Sequence, residues 1–200
     1  MLLSPDSQDE LKLLKYDADD EKNDEEEDEE DLTSAGSTAN IVLISGRDLY
    51  VANVGDSRSA LCEKGTFIEL SEDHKPDLEK EKDRILKSGS SVVNGRVGGD
   101  LSVSRALGDF EFKANRDIGK DEQSVISKPD ITHRVLTDSS EFILVGCDGI
   151  WETNKTEVIM KMIQDLFEQK KYSLKAIIEY LLDQLISKDN SGNFILIHIF

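Results

Sequence analysis

Phe142-Ile-Leu-Val-Gly-Cys-Asp-Gly-Ile-Trp-Glu152 opens as an apolar run and ends in a turn. A short apolar run bounded by turn residues reads as a β-strand. The strand delivers Asp148 at its end, and Gly149 lets the backbone turn sharply beside the carboxylate. An anion held rigidly at a sheet edge suits an oxygen-loving divalent ion such as Mg²⁺ or Mn²⁺. Glu152 lies four residues on, in the same turn, within reach of the same ion. Asp-Gly is also a common turn dipeptide, so the pair alone leaves both readings open.

Working outward, Asn40-Ile-Val-Leu-Ile-Ser45, a Gly46-Arg47 turn and Asp48-Leu-Tyr-Val-Ala-Asn-Val54 read as a β-hairpin. Gly55-Asp56-Ser57 is a second tight turn, whose carboxylate either caps its own backbone or faces a cleft. Arg58 to Cys62, Phe67 to Leu70 and Val92 to Val97 continue the strand pattern, and Phe194 to Phe200 closes the chain as another strand. Closely spaced strands joined by turns indicate an antiparallel sheet rather than βαβ units. Asp77 is placed to cap a helix over Leu78 to Lys87, ended by Gly89. Asn154-Lys-Thr-Glu157 has the spacing of a capping box. Beyond it, Val158, Ile159, Met162, Ile163, Leu166 and Phe167 recur at helical spacing. A second stripe follows Ser173: Leu174, Ile177, Ile178, Leu181, Leu182, Leu185 and Ile186. Both are wide enough to pack on a sheet. The fold class is α+β.

The chain has 200 residues, 38% of them apolar, and a net charge of −18. Between Asp17 and Asp31 twelve acids stand against one base, Lys22. Like charges at that density repel, and nothing apolar larger than Ala18 offsets them, so residues 1–35 are expected to be a disordered acidic leader. The body, residues 36–200, is one domain. Cys62 and Cys147 have neither disulfide nor metal spacing, which points to a reducing compartment, cytosol or nucleus. There is no membrane-length apolar stretch, no secretory leader pattern, and no nucleic-acid partner is expected.

Seven segments then occur in one order: Gly36-Ser-Thr-Ala39, Val51-Ala-Asn-Val-Gly-Asp-Ser-Arg58, Glu72-Asp-His-Lys-Pro76, Gly95-Arg-Val97, Leu101-Ser-Val-Ser-Arg-Ala-Leu-Gly-Asp109, Lys128-Pro-Asp130 and Gly146-Cys-Asp-Gly-Ile-Trp151. Their order and spacing resemble the protein phosphatase 2C, or metal-dependent (PPM), family. The acidic run before Gly36 is similar to the insert of its gamma-type subfamily. The resemblance implies a four-layer β-sandwich flanked by helices, with this chain holding its C-terminal part. It also implies two Mg²⁺ or Mn²⁺ ions activating a water that attacks phosphoserine or phosphothreonine in proteins. Candidate metal ligands are Asp148, Glu152, Asp56 and Asp189. Asp189-Asn190 is either the family's terminal Asp-Asn pair, displaced from the last strand, or a loop beside a deletion. Arg105 and Asp109, one helical turn apart, read as an internal ion pair. His74 falls in a loop that is structural in relatives, and His133 and His198 on strands.

The family's early motifs, an Asp-Gly-His-Gly segment and a phosphate-clamping Arg, are absent, so no catalytic residue is assigned. The expectation is a truncated, inactive copy whose sheets lack strands, leaving edges and apolar faces bare. Two other functions compete: a non-catalytic pseudophosphatase, and a binding protein whose acidic leader takes basic partners.

Overall fold

The computed structural model describes residues 34–151, 154–186 and 194–198, with side chains placed through residue 184. The acidic leader up to residue 33, Glu152 and Asp189 lie outside the described residues.

Two antiparallel sheets face each other. The first is built from β2 (Ala39–Ser45), β3 (Asp48–Val54) and β9 (Asp130–Val135), in the order β2-β3-β9. The second, ordered β11-β10-β4-β5, comprises β11 (Phe194–His198), β10 (Ser140–Gly146), β4 (Arg58–Glu63) and β5 (Thr66–Glu69). Two short ribbons flank them: β1 (Gly36–Ser37) with β8 (Leu107–Gly108), and β6 (Val92–Val93) with β7 (Arg96–Val97).

Strand alternation decides what each face meets. Leu49 and Val51 of β3, Leu61 of β4 and Ile143 of β10 point between the sheets and are buried together with Leu70 and Leu136. On the other face of the second sheet, Ala60, Cys62, Phe142 and Leu144 meet Ile150, Trp151, Ile159, Met160, Ile163, Ile177 and Leu181. β10 is therefore covered on both faces, which is why it reads as an unbroken apolar run. The covering helices are α2 (Asp148–Trp151), α3 (Thr156–Glu168) and α4 (Leu174–Ile186), while α1 (Glu79–Lys87) packs Ile85 into a third cluster with Val97, Val103, Ala106 and Val125. No described helix is long and apolar enough to cross a membrane.

The outer face of β2-β3-β9 has no such cover among the described residues. Its register aligns Ile41, Ala52 and Ile131 in one row and Leu43, Tyr50 and His133 in the next. Ile41 is 62% exposed and Ile131 67%. His133 stacks on Tyr50, ring centroids 4.6 Å apart, and its Nε2 lies 2.7 Å from Asp48 Oδ1.

Several local expectations are corrected. α1 starts at Glu79 with Leu78 in the cap position and no side-chain cap bond, so Asp77 does not cap it. α3 likewise starts from Lys155 without a side-chain cap bond, not from Asn154. Extended, uncapped entries suffice here because each helix is held by its buried stripe rather than by its ends. Ser173 does cap α4, its Oγ accepting from Ala176 N–H at 3.2 Å. Val92 to Val97 is not one strand but a hairpin folded at Asn94-Gly95. The Ser104–Asp109 segment is not helical: it pairs as β8, and Arg105 turns away from Asp109.

Candidate functional site

The chain passes from the first sheet to the second through Gly55-Asp56-Ser57, between β3 and β4. At the same end of the sandwich β10 runs out into Cys147-Asp148. Asp56 and Asp148 line one cavity of about 300 Å³, walled also by Gly36, Ser37 and Thr38, by Leu101 to Val103, and by Ala106 and Asp109.

Local chemistry fixes each carboxylate. Gly55 has φ +103°, and a Cβ there would sit 2.3 Å from Thr38 Cγ2, so the turn requires glycine. Its carbonyl accepts from Asn53 Nδ2 and from His74 N, each at 3.0 Å, and its N–H donates to His74 Nδ1 at 3.0 Å. Thr38 Oγ1 and Ser57 Oγ are hydrogen-bonded at 2.8 Å. The buried Asp56 carboxylate forms an ion pair with Lys75 Nζ. Asp148 accepts from Gly149 N–H at 2.8 Å, and its turn is anchored three residues on by Trp151. Trp151 buries its ring under α3 and donates Nε1–H to Gly146 O at 2.8 Å. Arg58 lies 5.6 Å over that ring and grips Asp73 with two bonds of 2.9 Å.

Behind the cavity wall lies a buried polar network. Glu81, on the inward face of α1, accepts from Arg105 Nε, Arg84 Nη1 and Ser104 Oγ. Arg105 also reaches Asp130 Oδ1 at 2.8 Å and Lys128 O at 3.0 Å. Burial alone would raise Glu81, but the two guanidinium groups overcome it and hold the carboxyl at about 2. Asp130 is likewise held well below the carboxylate range, Arg105 outweighing its partial burial. Asp109, 6% exposed, has lost its expected partner, and burial pushes its carboxyl up, the Lys113 charge only partly opposing. Lys113 spends its ammonium on the carbonyls of Ala106 and Gly108.

Of the sequence candidates, Asp148 and Asp56 are brought to one cavity, while Glu152 and Asp189 lie outside the described residues. Asp109 also lines the cavity, a role that its helical spacing from Arg105 hides in the sequence. Equally hidden are Lys75 and His74, which reach the Gly55-Asp56 turn from nineteen residues away. Among the described residues no group of three or more His, Cys, Asp or Glu side chains is placed to hold a metal ion. The donor set fits an ion of the Mg²⁺ type, which takes one or two carboxylates and completes its shell with water. It does not fit an all-protein cage.

A sequence profile described as protein phosphatase 2C matches residues 5–194. Protein phosphatase 2C 1 of Paramecium tetraurelia is 42% identical over 194 residues, covering 96% of this chain and 61% of that protein. Probable protein phosphatase 2C 60 of Arabidopsis thaliana is 39% identical over 159 residues, 80% of this chain and 44% of its own length. The chain thus spans about three fifths of the length of its Paramecium relatives. A phosphatase from a pathogenic strain of Toxoplasma gondii superposes with a TM-score of 0.71 at 25% identity, over 84% of this chain and 63% of that one. A Caenorhabditis elegans (C.elegans) sex determining protein shares the fold, with a TM-score of 0.70 at 22% identity over 82% of this chain and 40% of its own.

Proposed function

Because the chain belongs to the protein phosphatase 2C family, we propose that its cavity is the C-terminal portion of a metal-dependent site for removing phosphate from phosphoserine and phosphothreonine in proteins. The observation that carries this reading is the convergence of Asp56 and Asp148, from turns on different strands, on one hydroxyl-lined cavity. A bound divalent cation supplies charge that neutralises phosphoryl oxygens and acidifies a water. In this chain Asp148 would hold it, with Asp56 beside it and Glu152 and Asp189 as further candidate ligands. Lys75 offsets the charge of Asp56 while the cavity is shared by like charges. Ser37, Thr38 and Ser102 offer hydroxyls to water or to a phosphate oxygen. The family's early Asp-Gly-His-Gly and Arg motifs are not among these 200 residues. For that reason turnover by the chain alone is not part of the proposal.

A second reading, a non-catalytic member that keeps the fold and a phosphoprotein-binding surface, is favoured by one observation: no three ligating side chains converge among the described residues. The two are separated by titrating Mn²⁺ into the whole chain beside an Asp148→Ala variant, with p-nitrophenyl phosphate hydrolysis followed in parallel. Mn²⁺ binding that Asp148→Ala abolishes supports the metal site, and turnover lost with it would extend the reading to catalysis by this chain. A folded chain that binds no Mn²⁺ defeats the first reading and leaves the second.

A further inference from the structure

His74 is buried, 2% exposed, and every polar atom it owns has a partner. Its Nδ1 accepts from Gly55 N–H, so the ring proton sits on Nε2, which faces Asp130 Oδ2 at 3.3 Å. Its backbone N–H returns a bond to Gly55 O at 3.0 Å. Gly55 is thus held at both its N–H and its C=O by one residue. The His74 carbonyl in turn accepts Ser104 N–H at 2.9 Å and Ser104 Oγ–H at 3.0 Å. Gly55 leads directly into Asp56, and Ser104 lies between Val103 and Ala106, which wall the same cavity.

We propose that His74 is a positioning residue of this site, a neutral imidazole that locks the Gly55-Asp56 turn to the Leu101–Ala106 wall and so fixes the aim of Asp56. The inference rests on the reading of Asp56 as part of a metal-binding cavity, and it adds a residue that does not itself touch the ion. Burial, reinforced by the Arg105 charge, holds the imidazole below its usual range against the pull of Asp130, in keeping with a ring that must accept from Gly55. Groups that orient a ligand-bearing element without touching the ion typically change metal affinity ten- to a hundredfold when lost.

Two measurements on the full chain test it. The first needs no metal: in ¹⁵N-labelled protein the Gly55 amide nitrogen and His74 Nδ1 should show a scalar coupling across their N–H···N bond. Absence of that coupling in a well-resolved spectrum overturns the proposal. The second compares Mn²⁺ dissociation constants for His74→Ala, His74→Asn and Ile163→Val. Asparagine keeps an acceptor near the Nδ1 position and gives up Asp130, while Ile163 is buried under the second sheet, away from the cavity lining. Expected are a roughly tenfold weakening in His74→Ala, recovery to within about threefold in His74→Asn, and no change in Ile163→Val. Equal affinity of His74→Ala and the parent, or an equal loss in Ile163→Val, overturns it. If His74→Ala does not fold, the coupling and the asparagine variant still decide. If the parent binds no Mn²⁺, the functional reading falls. The clamp is then judged by the coupling, and by whether His74→Asn preserves the amide shifts of Asp56 and of residues 102–106.

Discussion

Replacing Glu81 by Gln tests the buried network with little change in volume. Glu81 is 2% exposed and takes Arg105 Nε on both oxygens at 3.1 Å, Ser104 Oγ at 2.8 Å, and Arg84 as well. Glutamine keeps one acceptor but aims an NH₂ at two guanidinium groups. Arg105, itself 2% exposed, is left with the half-exposed Asp130. Breaking a buried pair by removing one partner's charge costs about 3–5 kcal/mol. The proton linkage gives a consistent figure: a fall from 4.5 to about 2 corresponds to about 3 kcal/mol. Because the folded-state value is depressed, this contribution is fully present above about pH 4.5 and is lost as pH falls towards 2. In urea unfolding at pH 7, Glu81→Gln should therefore lower the midpoint by roughly 1.5 M, for a slope near 2 kcal/mol/M. The gap between parent and variant should shrink as the comparison is repeated down to pH 3. A difference under about 1 kcal/mol at pH 7, or a gap that holds constant with pH, would refute the reasoning.

Three further outcomes are expected. Gly108→Ala should lower thermal stability by at least about 2 kcal/mol, since φ is +72° and a Cβ would lie 2.2 Å from Ala35 O; a melting temperature equal to the parent's contradicts the β1-β8 geometry. Ile41→Lys with Ile131→Lys should cut dye binding and light scattering without lowering the melting temperature, because both residues stand on the uncovered sheet face; unchanged scattering would mean that face is not the sticky one. Burial, with Glu141 adding to it, pushes the Cys62 thiol up to about 12, so native alkylation should be suppressed about a thousandfold against a free thiol. Labelling of Cys62 at an ordinary rate in folded protein would count against its placement in the core.

The central strands of both sheets were legible because their residues carry one message each. Phe142 to Val145 is apolar throughout since both faces are covered, and Leu49, Val51 and Tyr50 alternate because only one face of β3 is. Helix starts were read less well: Asp77 and Asn154 had the right chemistry, yet packing of Ile85 and Ile159 sets where α1 and α3 lie. In the site, Asp148 announced itself by ending an apolar strand. The Arg105 partnership did not, because spacing along the chain favours Asp109, whereas the true partners, Glu81 and Asp130, are 24 and 25 residues away. Long-range polar pairing leaves no periodic trace, and Glu81 looks in sequence like any surface acid of a charged helix.

The Gly55–Ser57 corner has a mechanical consequence. Asp56 and Asp148 each stand two residues beyond the paired Arg58 and Gly146 of the second plate, while Thr38 leads into β2 of the first. Displacement of one plate over the other thus changes the gap between the two carboxylates and Thr38 across the cavity. Leu49, Leu61 and Ile143, filling the space between the plates, therefore act as the gauge blocks of the cavity: a change in their volume is read out at its mouth, well away from where it is made.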